Sequence, residues 1–350
     1  MGLYIMKVTI VEVAEKAKVS KATVSRIING NLEQNSKETI KRVLKVIEEL
    51  NYKPNALARG LKSTKTNVIG IILSNLQNPF WASVLEGVED TCHSYGYNLM
   101  IFNSKENAKL EEEHLLSYEM RQLDGMIVNP TLKNTELYQT IINNGFPFIS
   151  INRQIYGMEV NTITVDNIKG AKLAVEHLVT LGKRKIAIFL YPHEGISPRL
   201  DRLEGYKQAL IENGVSADPS FIQIINEEKG EVEIAIQKLL TSSNPPDAIF
   251  STNNLMTLEI LDGVKKLDLK IPDDIALVSY DETVWSKHLF SPLTTVKQPA
   301  YEMGEIAAKK LIQLVESKNK QVSHPEIVFL EPFLIVRESC GGKKGGVLID

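Results

Sequence analysis

The sequence predicts an α/β protein: two Rossmann-like lobes, each built on a parallel sheet, behind an all-α helix-turn-helix head. Three observations predict it. The 350 residues are 43% hydrophobic and 24% charged, an ordinary globular composition, and the length suits two or three domains. Charge is unevenly spread, because residues 1–67 hold thirteen Lys and Arg against six Glu, a net of +7, so residues 68–350 carry −10 within the chain's total of −3. From Val68 onward, short apolar runs alternate with longer amphipathic ones, the pattern of parallel strands covered by helices. A basic head on an acidic body points to nucleic acid as the partner of the head.

The same totals exclude several classes. No stretch approaches the ~18 apolar residues of a membrane helix, and Met1 to Ile10 lacks the basic start and long apolar region of a signal peptide. Cys92 and Cys340 are the only cysteines, too few and too far apart for a disulfide framework. A cytoplasmic protein is expected.

In the head, Thr9 and Glu12 have the spacing of a capping box, and Ile10, Val13, Ala14 and Ala17 recur on one helical face, so helix one runs to about Ala17. Ser20 caps a second helix in which Ala22, Val24, Ile27 and Ile28 can pack, until Gly30 stops it. Two short helices joined by a tight turn form a helix-turn-helix, whose second helix enters the major groove. Lys21, Ala22 and Arg26 are the expected base readers: Arg26 can bridge guanine O6 and N7, Lys21 can donate to the same acceptors, and Ala22 can meet a thymine methyl. Ser20, Thr23, Ser25 and Asn29 are assigned to phosphate contacts, which set register. A third helix begins after Ser36 and ends at Asn51, with Ile40, Val43, Leu44, Ile47 and Leu50 at core spacing. Beyond Tyr52, Pro54 forces an extended approach and Asn55 can cap one more helix, too short to stand alone in water.

Val13-Ala14-Glu15, Val19-Ser20, Thr23-Val24-Ser25-Arg26, Asn29-Gly30, Leu50-Asn51-Tyr52, Pro54-Asn55 and Ala58-Arg59-Gly60-Leu61 together resemble the head and hinge of LacI/GalR-family transcriptional regulators. That resemblance implies a headpiece over residues 1–54 and a hinge helix with its linker over 55–67. In the family the hinge folds when two subunits share an operator, with a leucine at the position of Leu61 wedged into the minor groove, at an unstacking cost of a few kcal/mol. It adds Tyr52, Asn55, Ala58 and Leu61 to the expected DNA contacts. Lys18 stands where the family usually has glycine; a left-handed backbone there would cost on the order of 1 kcal/mol.

In the body, strands are expected at 68–73, 99–102, 126–128 and 148–151, separated by helices 80–95, 106–122 and 134–144. A second series places strands at 163–165, 186–190, 222–225, 248–251 and 276–280, with helices near 167–181, 200–213, 230–241 and 254–266. Ligands in such folds bind beyond the carboxyl ends of the strands, and two facing lobes make a cleft that can close. Asn78-Pro79-Phe80, Asp124-Gly125-Met126-Ile127, Asp166-Asn167, His177-Leu178, Arg202-Leu203-Glu204-Gly205-Tyr206, Asp281 and Pro292-Leu293-Thr294-Thr295-Val296 resemble the LacI/GalR sensor core over about Val68 to Glu338. This implies an effector and dimerisation domain over 68–340. Its first lobe spans about 68–165 plus 297–326, its second about 166–296 plus 327–340, and a flexible tail follows over 341–350.

The resemblance assigns effector binding to Arg202 and Asp281 and a cleft-lining role to the loop carrying Phe80 and Trp81. Asn75, Asn129, Arg153, Arg199, Asn254 and Phe290 complete the expected set. Arginine can hold a planar oxygen pair and a carboxylate can bridge neighbouring hydroxyls, as carbohydrate recognition requires. Where the family commonly has aspartate, this chain has Asn75, Asn152 and Asn254, while Arg153, Arg199 and Arg202 stay. Loss of one carboxylate at ~4 Å removes roughly 4 kcal/mol of repulsion toward an anion at an effective dielectric of 20. A sugar acid, such as 2-keto-3-deoxygluconate or a hexuronate, is therefore expected over a neutral sugar.

No G-x-S-x-G, H-E-x-x-H or nucleotide-binding G-x-G-x-x-G is present, the glycines after Cys340 lack phosphate-loop spacing, and the histidines lack metal-ligand spacing, so neither enzyme activity nor a cofactor is expected. The expected protein is a dimeric repressor, since no heptads follow Val336 to build a tetramer. The rival readings are catabolite control through a phosphorylated carrier protein meeting Lys309 and Lys310, a neutral-sugar repressor, a solute-binding protein, and a sugar-processing enzyme.

Overall fold

The computed structural model describes residues 8–28, 32–50, 52, 65–228, 230–317, 324–342 and 347–348. The chain divides into two compact units, residues 1–66 and 67–350.

The first unit contains α1 (Ile10–Lys16), α2 (Lys21–Ile28) and α3 (Lys37–Glu49). The capping box forms: Thr9 N donates to Glu12 Oε2 at 2.6 Å, and Glu12 N donates to Thr9 Oγ1 at 3.4 Å. Ser20 Oγ accepts from Thr23 N at 3.1 Å and Ser36 Oγ from Thr39 N at 3.2 Å, so both later helices start at the hydroxyls expected to start them. Lys18 does adopt the left-handed backbone, at φ 53°. The core comprises Val13, Ala14, Ala17, Val24, Ile27, Val43 and Val46. Two assignments change here: Val46 takes the core position expected of Leu44, which is exposed, and Ala22 faces solvent. On both helices the inward stripe is narrower than the run of apolar residues.

The second unit has two sheets. The first lobe holds β1 (Val68–Leu73), β2 (Asn98–Asn103), β3 (Gly125–Val128), β4 (Phe148–Ile151), β5 (Thr162–Val165) and β11 (Ile327–Leu330), in the order β11-β5-β4-β3-β1-β2. The second holds β6 (Ile186–Leu190), β7 (Ile222–Ile224), β8 (Ala248–Ser251), β9 (Ala276–Tyr280), β10 (Thr294–Lys297), β12 (Phe333–Ile335) and β13 (Val347–Leu348), in the order β13-β12-β10-β9-β8-β6-β7. Central strands such as 148–151, 186–190 and 248–251 are buried along their whole length. Helices on both faces of a parallel sheet require continuous apolar runs of this kind.

The covering helices are α4 (Pro79–Ser94), α5 (Ala108–Leu116), α6 (Thr135–Asn143) and α11 (Ala300–Glu316) in the first lobe, and α7 (Asn167–Thr180), α8 (Ser197–Glu212), α9 (Glu231–Leu240) and α10 (Asn254–Lys266) in the second. α11 returns to the first lobe and crosses α4 where two glycines permit it. A Cβ on Gly87 would sit 2.1 Å from the Tyr301 carbonyl oxygen, and one on Gly304 2.1 Å from that of Val84.

Four expectations are corrected. Strand 327–330 pairs in parallel with 162–165, so the first lobe extends to Leu330, past the expected boundary at 326. The 162–165 strand, which spacing groups with the second series although the expected first lobe runs to about 165, belongs to the first sheet. The helix expected over 106–122 covers only 108–116, because Asn107 caps it late and Ser117 Oγ, bonded to the His114 carbonyl, closes its last turn. Within the tail expected to be flexible, Val347–Leu348 pair antiparallel with the otherwise open edge of β12.

Candidate functional site

In the head, α2 presents Lys21 and Ala22 to solvent, with Thr23, Ser25 and Arg26 half-buried. Ala22, freed from packing, is available only for contact outside the unit. The Arg26 guanidinium is folded back, with Nη1 donating to Gln34 Oε1 at 2.7 Å and Nε to the Ala22 carbonyl at 3.3 Å. Gln34 was not anticipated; its side chain holds Arg26 along the helix surface. Ser20 is occupied as a cap, and Tyr52 packs against the edge of the head core. Asn29, Asn55, Ala58 and Leu61 lie outside the described residues.

In the second unit a cavity lies between the lobes at the carboxyl ends of the strands. Its lining includes Ser74 and Asn75 after β1, Glu106 after β2, Asn152 and Arg153 after β4, Tyr191 after β6, Glu227 after β7, Asn253 after β8, Asp281 after β9 and Gln298 after β10. Phe80, Trp81, Arg199 and Arg202 come from the N-terminal turns of α4 and α8. The two lobes repeat one scheme closely enough that Asn152 and Asp281, each the first residue past the fourth strand of its lobe, both hold a left-handed backbone, at φ 65° and 73°. Non-glycine residues seldom occupy this region, and where they do it is commonly at a functional site.

Seven of the ten residues expected at the effector site line this cavity: Asn75, Phe80, Trp81, Arg153, Arg199, Arg202 and Asp281. Three do not. Asn129 is buried behind the wall, where Nδ2 donates to the Ile151 carbonyl at 3.0 Å and braces the strand end that carries Asn152. Asn254 is also fully buried, and its Nδ2 bridges Asn78 Oδ1 at 2.8 Å and Asp281 Oδ2 at 3.0 Å. Phe290 is fully exposed, because the loop after Asp281 is anchored by the buried Thr283 and Ser286 and by Trp285 and Leu289, which pack on the second-lobe core, and leaves Phe290 facing solvent.

The expected excess of cationic charge is corrected too. Arg153 is clamped by Glu106, with Nη2–Oε1 at 2.5 Å and Nη1–Oε2 at 3.0 Å, and also donates to the Pro130 carbonyl at 2.9 Å. Arg199 pairs with Glu227 at 2.6 Å and donates to the Pro192 carbonyl at 2.8 Å. Arg202 lies 3.7 Å from the Tyr280 ring centroid and donates to Asn167 Oδ1 at 2.9 Å and the Thr252 carbonyl at 2.7 Å. With Asp281, the lining has three cations and three carboxylates. Asn75, Asn152 and Asn254 remove acids, but Glu106 and Glu227 supply two that sequence reasoning missed. A signal for them existed: each is the third residue past the second strand of its lobe.

Electrostatics follow from burial. Burial pushes the Asp281 carboxyl upward, against the pull of Arg202 and the amide hydrogen bonds from Gln298 and Asn254. Burial also opposes ionisation of Glu106, but Arg153 outweighs it and holds that carboxyl below its ordinary value. Desolvation lowers Arg199, opposed by Glu227. Arg153 Nε, Asn152 Oδ1 and Gln298 Oε1 are buried without a protein partner, so the wall retains one donor and two acceptors for a polar ligand. Among the direct hydrogen bonds that join the lobes beside the cavity are Asn254 to Asn78 and Gln154 N to Ser197 Oγ at 2.9 Å.

Elsewhere, Lys309 pairs with Glu305 at 2.5 Å and Lys310 with Glu326. His177 Nε2 and the buried Cys340 Sγ share a hydrogen bond at 3.2 Å. Among the described residues no group of His, Cys, Asp and Glu could hold a metal, and no helix is long and apolar enough to cross a membrane.

Residues 9–55 match the family described as bacterial regulatory proteins, lacI family, and residues 66–335 match periplasmic binding proteins and sugar binding domain of LacI family. The probable HTH-type transcriptional regulator EndR of Paenibacillus polymyxa is 33% identical over 337 residues, 95% of this chain and 98% of that protein. The HTH-type transcriptional regulator KdgR of Bacillus subtilis is 32% identical over 332 residues, 95% and 97% respectively. A solved complex of the transcriptional regulator CelR with cellobiose aligns over 95% of this chain and 99% of that one, with TM-score 0.71 and 27% identity. The Lac repressor dimer bound to operator and an anti-inducer has the same fold, with TM-score 0.83 at 24% identity over 95% and 99% of the two chains.

Proposed function

The chain belongs to the LacI family of bacterial regulatory proteins, and from that premise we propose that it is a dimeric repressor of a carbohydrate-utilisation operon in the cytoplasm, released from a near-palindromic operator by a small carbohydrate. The observation that carries the reading is the presence on one chain of an exposed basic helix after a tight turn and a polar cleft at the carboxyl ends of two parallel sheets. Lys21, Ala22 and Arg26 read bases; Ser20, Thr23, Ser25 and Asn29 contact phosphates; Tyr52, Asn55, Ala58 and Leu61 belong to the hinge contact. Effector binding shifts the lobes and separates the paired hinges. It weakens DNA binding only by as much as the effector prefers the released state.

Self-association is supported by apolar residues left in solvent. Ile101 lies on the edge strand β2, Leu116 and Met120 follow it, and Val284 and Phe290 protrude from the loop after Asp281. Phe290 is thus reassigned from the cleft to the subunit contact.

The effector proposed is a sugar acid. Three guanidiniums face one cavity, the buried Arg153 Nε–H has no protein partner, and the counter-ion of Arg199 is a partly exposed glutamate. A neutral sugar is the second reading, favoured by the balanced charge of the lining. Control by a phosphorylated carrier is less well supported, because Lys309 and Lys310 are each already ion-paired. Selection of bound DNA from a random pool, with and without sugar acids, tests the proposal. It predicts enrichment of a near-palindrome that is lost with the effector present; failure to enrich any would refute the repressor reading.

A further inference from the structure

We propose that Arg199 is the residue that receives the carboxylate of an acidic effector, and that Glu227 is its built-in stand-in, neutralising Arg199 until the ligand's carboxylate displaces it. The inference rests on the sugar-acid reading and adds to it a residue and an exchange.

The three arginines of the cleft are not equivalent. Arg202 spends its described hydrogen bonds on interior acceptors, Asn167 Oδ1 and the Thr252 carbonyl, with its face on Tyr280. Arg153 is held by both oxygens of Glu106 in a pair whose side chains are 5% and 29% exposed. Breaking a buried pair of this kind strands a charge, which is costly. Arg199 differs on the side of its partner: its own side chain is 18% exposed, but that of Glu227 is 41% exposed. A carboxylate at the rim regains water when it leaves, so the Arg199–Glu227 pair is the one a ligand can open at little cost.

Exchange also resolves the charge balance of the cleft. An anion added to three cations and three carboxylates would meet no net attraction. An anion that replaces Glu227 as that side chain turns outward leaves the balance as it was. The Pro192 carbonyl bond, and Tyr191 with its ring 5.5 Å below the guanidinium, keep Arg199 in place through the exchange.

The position of Arg199 couples the exchange to the lobes. It belongs to α8 of the second lobe, yet its charge acts on Glu106 and Arg153 of the first, and the interlobe bond from Gln154 N reaches Ser197, two residues before it. A ligand carboxylate on Arg199 therefore lies within the field of Arg153 across the cleft, and its sugar hydroxyls face the unpartnered Asn152 Oδ1 and Gln298 Oε1.

Calorimetry on the full-length protein tests this, with D-glucuronate, D-galacturonate, D-gluconate and 2-keto-3-deoxygluconate as probes against D-glucose and D-galactose. The unaltered protein should bind at least one acid tenfold or more tighter than the neutral sugars. Arg199→Gln should erase that preference, and Glu227→Gln, which removes the internal competitor, should tighten the acid several-fold relative to the neutral sugars. Glu227→Gln alters a rim side chain, so its result stands even if Arg199→Gln folds poorly. No acid preference in the unaltered protein would overturn the sugar-acid reading. Acid preference that survives Arg199→Gln, or Glu227→Gln that fails to tighten the acid, would overturn this inference alone.

Discussion

Glu111 should be the residue outside the cavity whose loss damages the cleft most. Its fully buried carboxylate accepts from Thr131 N at 2.8 Å, Thr131 Oγ1 at 2.6 Å, Asn134 Nδ2 at 2.7 Å and Tyr138 Oη at 2.6 Å. Thr131 and Asn134 belong to the loop whose Pro130 carbonyl holds Arg153, and Tyr138 to the helix α6 that follows it. In Glu111→Ala, Asn134 keeps its bond to the Ala108 carbonyl and the Thr131 hydroxyl can turn, but Thr131 N and Tyr138 Oη are stranded. At about 1–3 kcal/mol per stranded donor, the first lobe loses about 2–6 kcal/mol, a large part of a domain's stability of roughly 5–15 kcal/mol. At about 2–4 °C per kcal/mol for a body of this size, the melting midpoint should fall by about 10 °C. Glu111→Gln keeps one acceptor oxygen and should lose less than half as much. Scanning calorimetry paired with a sugar titration reads both effects, and effector affinity should fall with the loop. A drop below about 2 °C, or equal drops for Ala and Gln, would refute the reasoning.

Four further outcomes are expected. Arg202→Lys loses the planar fork and the stack on Tyr280, so effector affinity should fall at least tenfold while operator affinity stays within twofold, read by fluorescence anisotropy. Gly304→Ala drives a methyl against the Val84 carbonyl and should cost about 3 kcal/mol or more, since two backbones must part; urea unfolding measures it. Lys18→Gly relieves the left-handed backbone and should raise the stability of the head by up to about 1 kcal/mol, less what glycine gains in the unfolded chain. Burial raises the Asp201 carboxyl to about 6 from an ordinary 3.8, against the pull of Arg202. The folded state thus holds this proton more tightly, and stability falls as pH rises from about 4 to 6; Asp201→Asn should be the more stable form above pH 6 and lose its advantage below pH 4, in thermal melts across that range.

What could be read from the sequence follows from which signals are local. Strands 148–151, 186–190, 248–251 and 276–280 are predicted to the residue, because a strand buried on both faces is an apolar run, broken here by no more than one small serine, between turns. The capping hydroxyls Thr9, Ser20 and Ser36 were legible for the same reason, each being tied to an amide three residues on. Strand 327–330 was placed in the wrong lobe because the partner that decides it, 162–165, lies about 165 residues away. Glu106 and Glu227 carry no motif, and only the strand count within each lobe marks them. Phe290 is expected as an apolar wall of the cleft, but Trp285 and Leu289 are the apolar residues of its loop that pack inward, and Phe290 is left in solvent. Asn129 and Asn254 are expected to bind the effector and instead brace the wall, because whether an amide lines a wall or braces it depends on packing from the opposite side.

The measurement that tests the account most directly is the affinity of the full-length protein for its selected operator, by fluorescence anisotropy at one fixed salt concentration, with and without a saturating sugar acid. The account predicts a fall in affinity of about 5–150-fold, the usual range of coupling between two sites, and no comparable fall for Arg202→Lys at the same sugar concentration. An operator affinity indifferent to every acidic and neutral sugar tested, or equally altered in Arg202→Lys, would contradict it.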